Sequence, residues 1–228
     1  AWITRGSEFD KEARLRSFTA YLPGRTLPML PRDLTALISL TEGTISPAHT
    51  VMFTVNSKTG KITGSRRFHS LIKVDRRLSY DQVQEFIDSG KKPKDWSPEF
   101  TAAIKQLLDI SRKMRRLRKH EEKFLEITTT EIRVLCDEKT EQILGIVRHD
   151  QREADQIVEE CMLAANSAVA AELIERNIPG VYRVHGEPNP DKLEEFSALM
   201  SSAFEISTGL LLTREEMNKF LESIEDGP

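Results

Sequence analysis

The chain has 228 residues, enough for one large domain or two small ones. Apolar residues make up 39% and charged residues 30%, with the two signs interspersed, which argues against a wholly disordered chain. The net charge of −3 excludes a uniformly basic nucleic-acid-binding module and confines any contact with a polyanion to a local groove or patch.

The chain begins Ala1-Trp2-Ile3, without methionine and in what reads as a strand, as expected of part of a larger protein. From Asp10 it is charged, like the exposed face of a short helix. It then turns into Tyr21-Leu22-Pro23-Gly24 and closes with Pro28-Met29-Leu30-Pro31. Three prolines and a glycine in nine residues predict neither regular helix nor central strand, but one rigid and irregular path. A rigid apolar loop of this kind shapes a site more often than it fills a core.

Val51–Val55 and Ile62–Val74 read as strands, separated by the hairpin signal Asn56-Ser57-Lys58-Thr59-Gly60. Leu78–Ser89 is a short helix stopped by Gly90 and Pro93. Ser97 caps a longer helix with Pro98 at its first position. Phe100, Ile104, Leu107 and Leu108 keep helical spacing there, and the helix runs into a basic end from Arg112 to His120. Phe124–Ile127, Glu131–Cys136 and Gln142–Val147 read as further strands. A long helix covers about Gln151 to Arg176, Val181–His185 is a short strand, and Asp191–Ala203 a helix. Thr213-Arg214-Glu215-Glu216 is a capping box for the last helix. Hairpins and helices without strict βαβ alternation predict an α+β fold, antiparallel strands with packed helices. Cys136 and Cys161 are isolated, match no metal-ligand spacing, and read as reduced, buried thiols of a cytosolic protein. No apolar run is long enough to span a membrane, and no signal peptide is expected.

Four runs, in this order, carry a specific resemblance: the opening through Asp10–Pro31, "SLIKVDRRLSYDQV" (Ser70–Val83), "QIVEECMLAANSAVA" (Gln156–Ala170) and "GVYRVH" (Gly180–His185). The chain resembles the central part of the catalytic (RNB) domain of the ribonuclease II and ribonuclease R exoribonucleases. The opening reads nearer to the ribonuclease II branch. The resemblance implies a metal-dependent, processive 3′-to-5′ exoribonuclease that hydrolyses single-stranded RNA to nucleoside monophosphates in the cytoplasm, with no membrane and no DNA partner. The alternative is a non-catalytic RNA-binding member, or an inactive fragment, of the same fold.

Three residues inherit substrate contacts from the resemblance. Tyr21 would stack on a base near the RNA 3′ end, since an aromatic face on a rigid loop accepts the π face of any base. Read alone, it is more readily a turn tyrosine with a packed ring and a wet hydroxyl. Tyr80 would help recognise the ribose; read alone, it is an aromatic at a helix start packed on a sheet. Glu159 would accept a hydrogen bond from the 2′-hydroxyl that distinguishes RNA from DNA. With Asp155 and Asn166 it forms a polar stripe on a helix otherwise apolar over much of its circumference. Such a stripe on a largely buried helix faces partners or a wet cleft, or else is a solvated face with i,i+4 partners.

Arg112, Lys113, Arg115, Arg116, Arg118 and Lys119 form a basic run that could meet phosphates, but it reads better as a solvated helix end whose cations suit the C-terminal dipole. Arg183 and His185 match a motif with a structural role. The resemblance implies Mg²⁺ held by an aspartate cluster upstream of Ala1, a catalytic arginine beyond the last residue, and flanking OB-type RNA-binding domains. Asp137-Glu138, Asp150, Asp155 and Glu225-Asp226 do not reproduce that cluster, and His69 and His120 lack partners at ligand spacing. No catalytic residue and no metal ligand is therefore assigned within the chain. Ser46 stands where the family usually carries an arginine, so no phosphate contact is carried over to that loop.

Overall fold

The computed structural model describes residues 3–121, 125, 131–137, 140, 142–184, 186, 188–204 and 213–225. Helix α1 (Glu8–Arg16) starts where Ser7 Oγ accepts the Asp10 N–H at 3.3 Å. Glu8 and Asp10 lie in its first turn and Arg14 and Arg16 in its last, matching the helix dipole at both ends.

The proline-rich stretch is more regular than its composition suggests. Strands β1 (Ala20–Leu22) and β2 (Arg25–Leu27) pair antiparallel with Tyr21 opposite Thr26. Pro23 and Gly24 form the two-residue loop, and Gly24 takes the φ of +71° that a proline-then-glycine turn needs. Strands of three residues leave every proline outside the ladder, which removes the objection to strand. A short helix α2 (Arg32–Ile38) follows at once, with Pro31 in the N-cap position. Seven residues are too few for its periodicity to register in the sequence.

Strands β3 (Ile45–Val55) and β4 (Ile62–Lys73) form the next hairpin. β3 starts well before Val51, because Pro47 argues against strand in the sequence but is tolerated where a two-stranded sheet leaves an edge free. Ser46 is accordingly a buried strand residue, not part of a loop. At the hairpin tip the Asn56 side chain accepts the N–H groups of Lys58 (2.9 Å) and Thr59 (3.1 Å).

Helix α3 (Tyr80–Ser89) opens with a reciprocal cap between Ser79 and Gln82. Ser97 Oγ accepts the Phe100 N–H at 3.1 Å to begin α4 (Pro98–Glu121). Strands β5 (Glu131–Cys136) and β6 (Ile143–His149) pair antiparallel. Helices α5 (Glu153–Glu175), α6 (Pro190–Phe204) and α7 (Arg214–Glu225) complete the described elements. The Thr213–Glu216 capping box forms as expected. The architecture is α+β, helices with short two-stranded sheets.

Three expected strands fare otherwise. Residues 181–184 carry no strand, and His185 lies outside the described residues. A strand needs a partner, and none of the paired sheets includes this segment. Phe124–Ile127 lies outside the described residues except for Leu125, which is not in a strand. At the start of the chain Ile3 is a bend, and Ala1 and Trp2 lie outside the described residues.

The chain divides into two compact units. The first contains Ala1–Met52, Arg66–Val83 and Thr128–Gln151. The second contains Phe53–Ser65, Gln84–Ile127 and Arg152–Pro228. All the buried hydrophobic residues among those described, Phe86, Trp96, Leu108, Ala154, Ile157 and Phe220, belong to the second unit. Trp96 anchors that core, its ring 5.1 Å from both Phe86 and Phe100, the latter edge-on.

Candidate functional site

In the first unit, Tyr21 stands 81% exposed on β1. Its display is rigid. Thr19 Oγ1 accepts the Met29 N–H at 3.1 Å across the hairpin base, and Arg16 donates to the Pro28 carbonyl at 2.9 Å, tying the far strand back to α1. The loop therefore presents an aromatic face without burying it, which is the geometry stacking needs. Tyr80 is the first residue of α3 and is 47% exposed, so about half of its surface is covered.

In the second unit, helices α4 and α5 lie side by side. Arg112 grips Glu153 through two parallel bonds of 2.6 and 2.7 Å. Arg115 Nη1 reaches Glu160 at 3.3 Å and Glu159 at 3.4 Å. Arg118 forks onto both oxygens of Glu160, from Nε at 3.3 Å and Nη2 at 2.5 Å, and approaches Glu159 at 3.9 Å. The contacts advance together along both helices, so α4 and α5 run in the same direction. The basic half of α4 thus meets the acidic start of α5, and of the bridging side chains Arg118, in the last turn of α4, and Glu153, in the first turn of α5, also suit the dipoles of their helices. Arg112 lowers the pKa of the Glu153 carboxyl below its ordinary value, mainly by hydrogen bonding.

The expected solvated basic helix end is therefore corrected. Besides these pairs, Lys113 bonds to Asp109 and to the Ser57 carbonyl, and Lys119 pairs with Glu222. A run of cations beside a helix rich in carboxylates gains more from charge-assisted bonds than from water alone. The long helix also differs from expectation. It buries Ala154, Ile157 and Glu160, while Val158, Met162 and Leu163 are exposed. Cys161 is exposed and Cys136 half-buried, not the buried thiols expected. The side chain of Glu160 is only 3% exposed, and that of Glu159 is 30% exposed. Successive helix positions differ by about 100°, so the adjacent carboxylates divide into an inner and an outer one. Sequence reasoning singled out the outer residue. The spacing Ala154, Ile157, Glu160 was the available signal for the inner one.

A cleft of about 500 Å³ opens within the second unit beside this network. Met114, Leu117, Arg118, Glu160, Leu163 and Ala164 are among its lining residues. The hairpin tip borders it and touches α4 closely. A Cβ on Gly60 would lie 2.6 Å from the Lys113 carbonyl carbon, so only glycine lets the two backbones approach. Among the described residues, no group of three or more His, Cys, Asp or Glu could hold a metal ion. The Mg²⁺ that the resemblance implies therefore has no fitting ligands among them. No described helix is long and apolar enough to cross a membrane.

The fold recurs in solved nucleases and in one protein that has been called a pseudonuclease. RNase R of Mycoplasma genitalium, in complex with ribose-methylated single-stranded RNA, matches with a TM-score of 0.88 and 24% identity, over 100% of this chain and 35% of that one. Yeast Ssd1, a pseudonuclease, matches with a TM-score of 0.71 and 21% identity, over 99% of this chain and 26% of its own. These likenesses define the class of fold. Residues 1–228 match the RNB domain family, and the chain belongs to it. Exoribonuclease 2 of Shigella boydii is 33% identical over 205 residues, covering 89% of this chain and 31% of that protein. The chain thus spans about a third of the length of the curated relatives it matches.

Proposed function

We propose that this chain is part of a 3′-to-5′ exoribonuclease that hydrolyses single-stranded RNA to nucleoside monophosphates with Mg²⁺ in the cytoplasm. The family match over residues 1–228 carries this reading. The geometry adds to it an exposed Tyr21 on a pinned hairpin, suited to stack on a base near the RNA 3′ end. Tyr80 contacts the ribose and Glu159 accepts a hydrogen bond from the 2′-hydroxyl, which favours RNA over DNA. The chain contributes walls of the substrate channel, with the Mg²⁺ ligands expected upstream of Ala1.

A second reading is an RNA-binding member without activity. The likeness to a pseudonuclease favours it, since the fold alone does not entail hydrolysis. One experiment separates the two. The full-length protein is incubated with 5′-labelled single-stranded RNA and Mg²⁺. Stepwise shortening from the 3′ end is expected, and Tyr21→Ala is expected to change the length of the final product. Binding without shortening would establish the second reading instead.

A further inference from the structure

We propose that His49 and His69 form a binding site for a divalent transition-metal ion, with Zn²⁺ as the occupant that fits. His49 lies on β3 and His69 on the neighbouring strand β4. Along the chain His69 has no partner at ligand spacing, and the hairpin supplies one from across the ladder. Both residues are exposed, and their ring centres lie 5.4 Å apart with the planes at 77°. No ion pair or side-chain hydrogen bond among the described residues engages either imidazole. The pair lies wholly within the first unit.

The ligand type and the separation select the ion. Imidazole nitrogen suits Zn²⁺, Cu²⁺ and Ni²⁺, whereas Mg²⁺ takes oxygen ligands, so this is not a second place for the Mg²⁺ of hydrolysis. A zinc–nitrogen bond of about 2.0–2.1 Å puts the ion roughly 3.2 Å from each ring centre. Rings 5.4 Å apart then subtend about 115° at a shared ion. Tetrahedral zinc favours about 109°, while ligands at about 90° in a square or octahedral site would need ring centres roughly 4.5 Å apart. Because both rings are exposed, each can turn about χ2 to aim a nitrogen at the shared point without disturbing a packed core. Among the described residues no third His, Cys, Asp or Glu joins the pair, so water completes the coordination. Two protein ligands make this site weaker than a structural zinc site, and a bound ion ties β3 to β4.

The test titrates the full-length protein with Zn²⁺ by calorimetry, in excess Mg²⁺ to keep oxygen-rich sites filled. His49→Asn and His69→Asn should each weaken the same Zn²⁺ site roughly tenfold or more, since either change leaves a single imidazole. The double variant should lose no further site. His120→Asn, at an exposed histidine of α4, is the control and should leave the titration unchanged. Co²⁺ serves as the spectroscopic stand-in for Zn²⁺. The unmodified protein should show the intense visible band of tetrahedral Co²⁺, and His49→Asn should lose it. Unaltered Zn²⁺ binding in both single variants overturns the proposal. Loss in only one of them, or an equal loss in His120→Asn, also overturns it, because that is binding to a lone surface histidine. A pale, six-coordinate Co²⁺ spectrum of the unmodified protein overturns it whether or not the variants fold.

Discussion

The two units solve opposite problems. The second holds all the buried hydrophobic side chains among the described residues, packed around Trp96 and closed by the α4–α5 ion pairs. The first is built of small hairpins and short helices, and it leaves Phe18, Tyr21, Leu22, Leu71, Ile132 and Ile146 largely exposed. Two-stranded hairpins cannot bury a face by themselves. Hydrophobic burial thus resides in the second unit among the described residues, while apolar exposure is shared, since the second unit also exposes Met162, Ile174, Val181 and Val184. Two of the three residues proposed to meet RNA, Tyr21 and Tyr80, lie on the first unit; the third, Glu159, lies on the second.

The sharpest way to break this contrast is to remove the anchor of the packed unit. Trp96→Ala is expected to cost about 3–5 kcal/mol, visible as a large drop in the urea midpoint. A loss below about 1 kcal/mol would mean that the aromatic cluster does not carry the unit. Next in size is the contact of the hairpin tip with α4. Gly60→Ala places a methyl group against backbone at a φ of +77°, and should cost roughly 1–3 kcal/mol. Gly64→Ala, on the same hairpin with open space around it, is the control and should stay within about 0.5 kcal/mol. Equal effects would show that the tip is not pinned. Smallest of all, Tyr21→Ala should shift stability by less than about 0.5 kcal/mol, since little of the ring is buried. A large destabilisation there would turn Tyr21 into a packing residue and remove the contrast between the units.

Much of the fold was legible because local chemistry dictates it. Ser97 followed by Pro98, the Thr213–Glu216 box and the Asn56–Gly60 turn act through hydrogen bonds a few residues long, and each formed where its residues stand. Short elements were harder. The β1–β2 hairpin and α2 are too brief for periodicity, and Pro47 concealed the start of β3. Of the candidate site, the exposed aromatics were legible as residue types on a rigid loop and at a helix start. The fate of the basic run was not.

By itself the sequence determined the α+β class, most helix starts and the ordered motifs that lead to the RNB family. Those features depend on neighbours in the chain. Only the tertiary structure decided which of two adjacent glutamates is inner and which is outer, and that Arg115 and Arg118 face carboxylates more than forty residues away in sequence. The reason is physical. A helix carries charges on every side, and which side is covered depends on the register and direction of the helix packed against it.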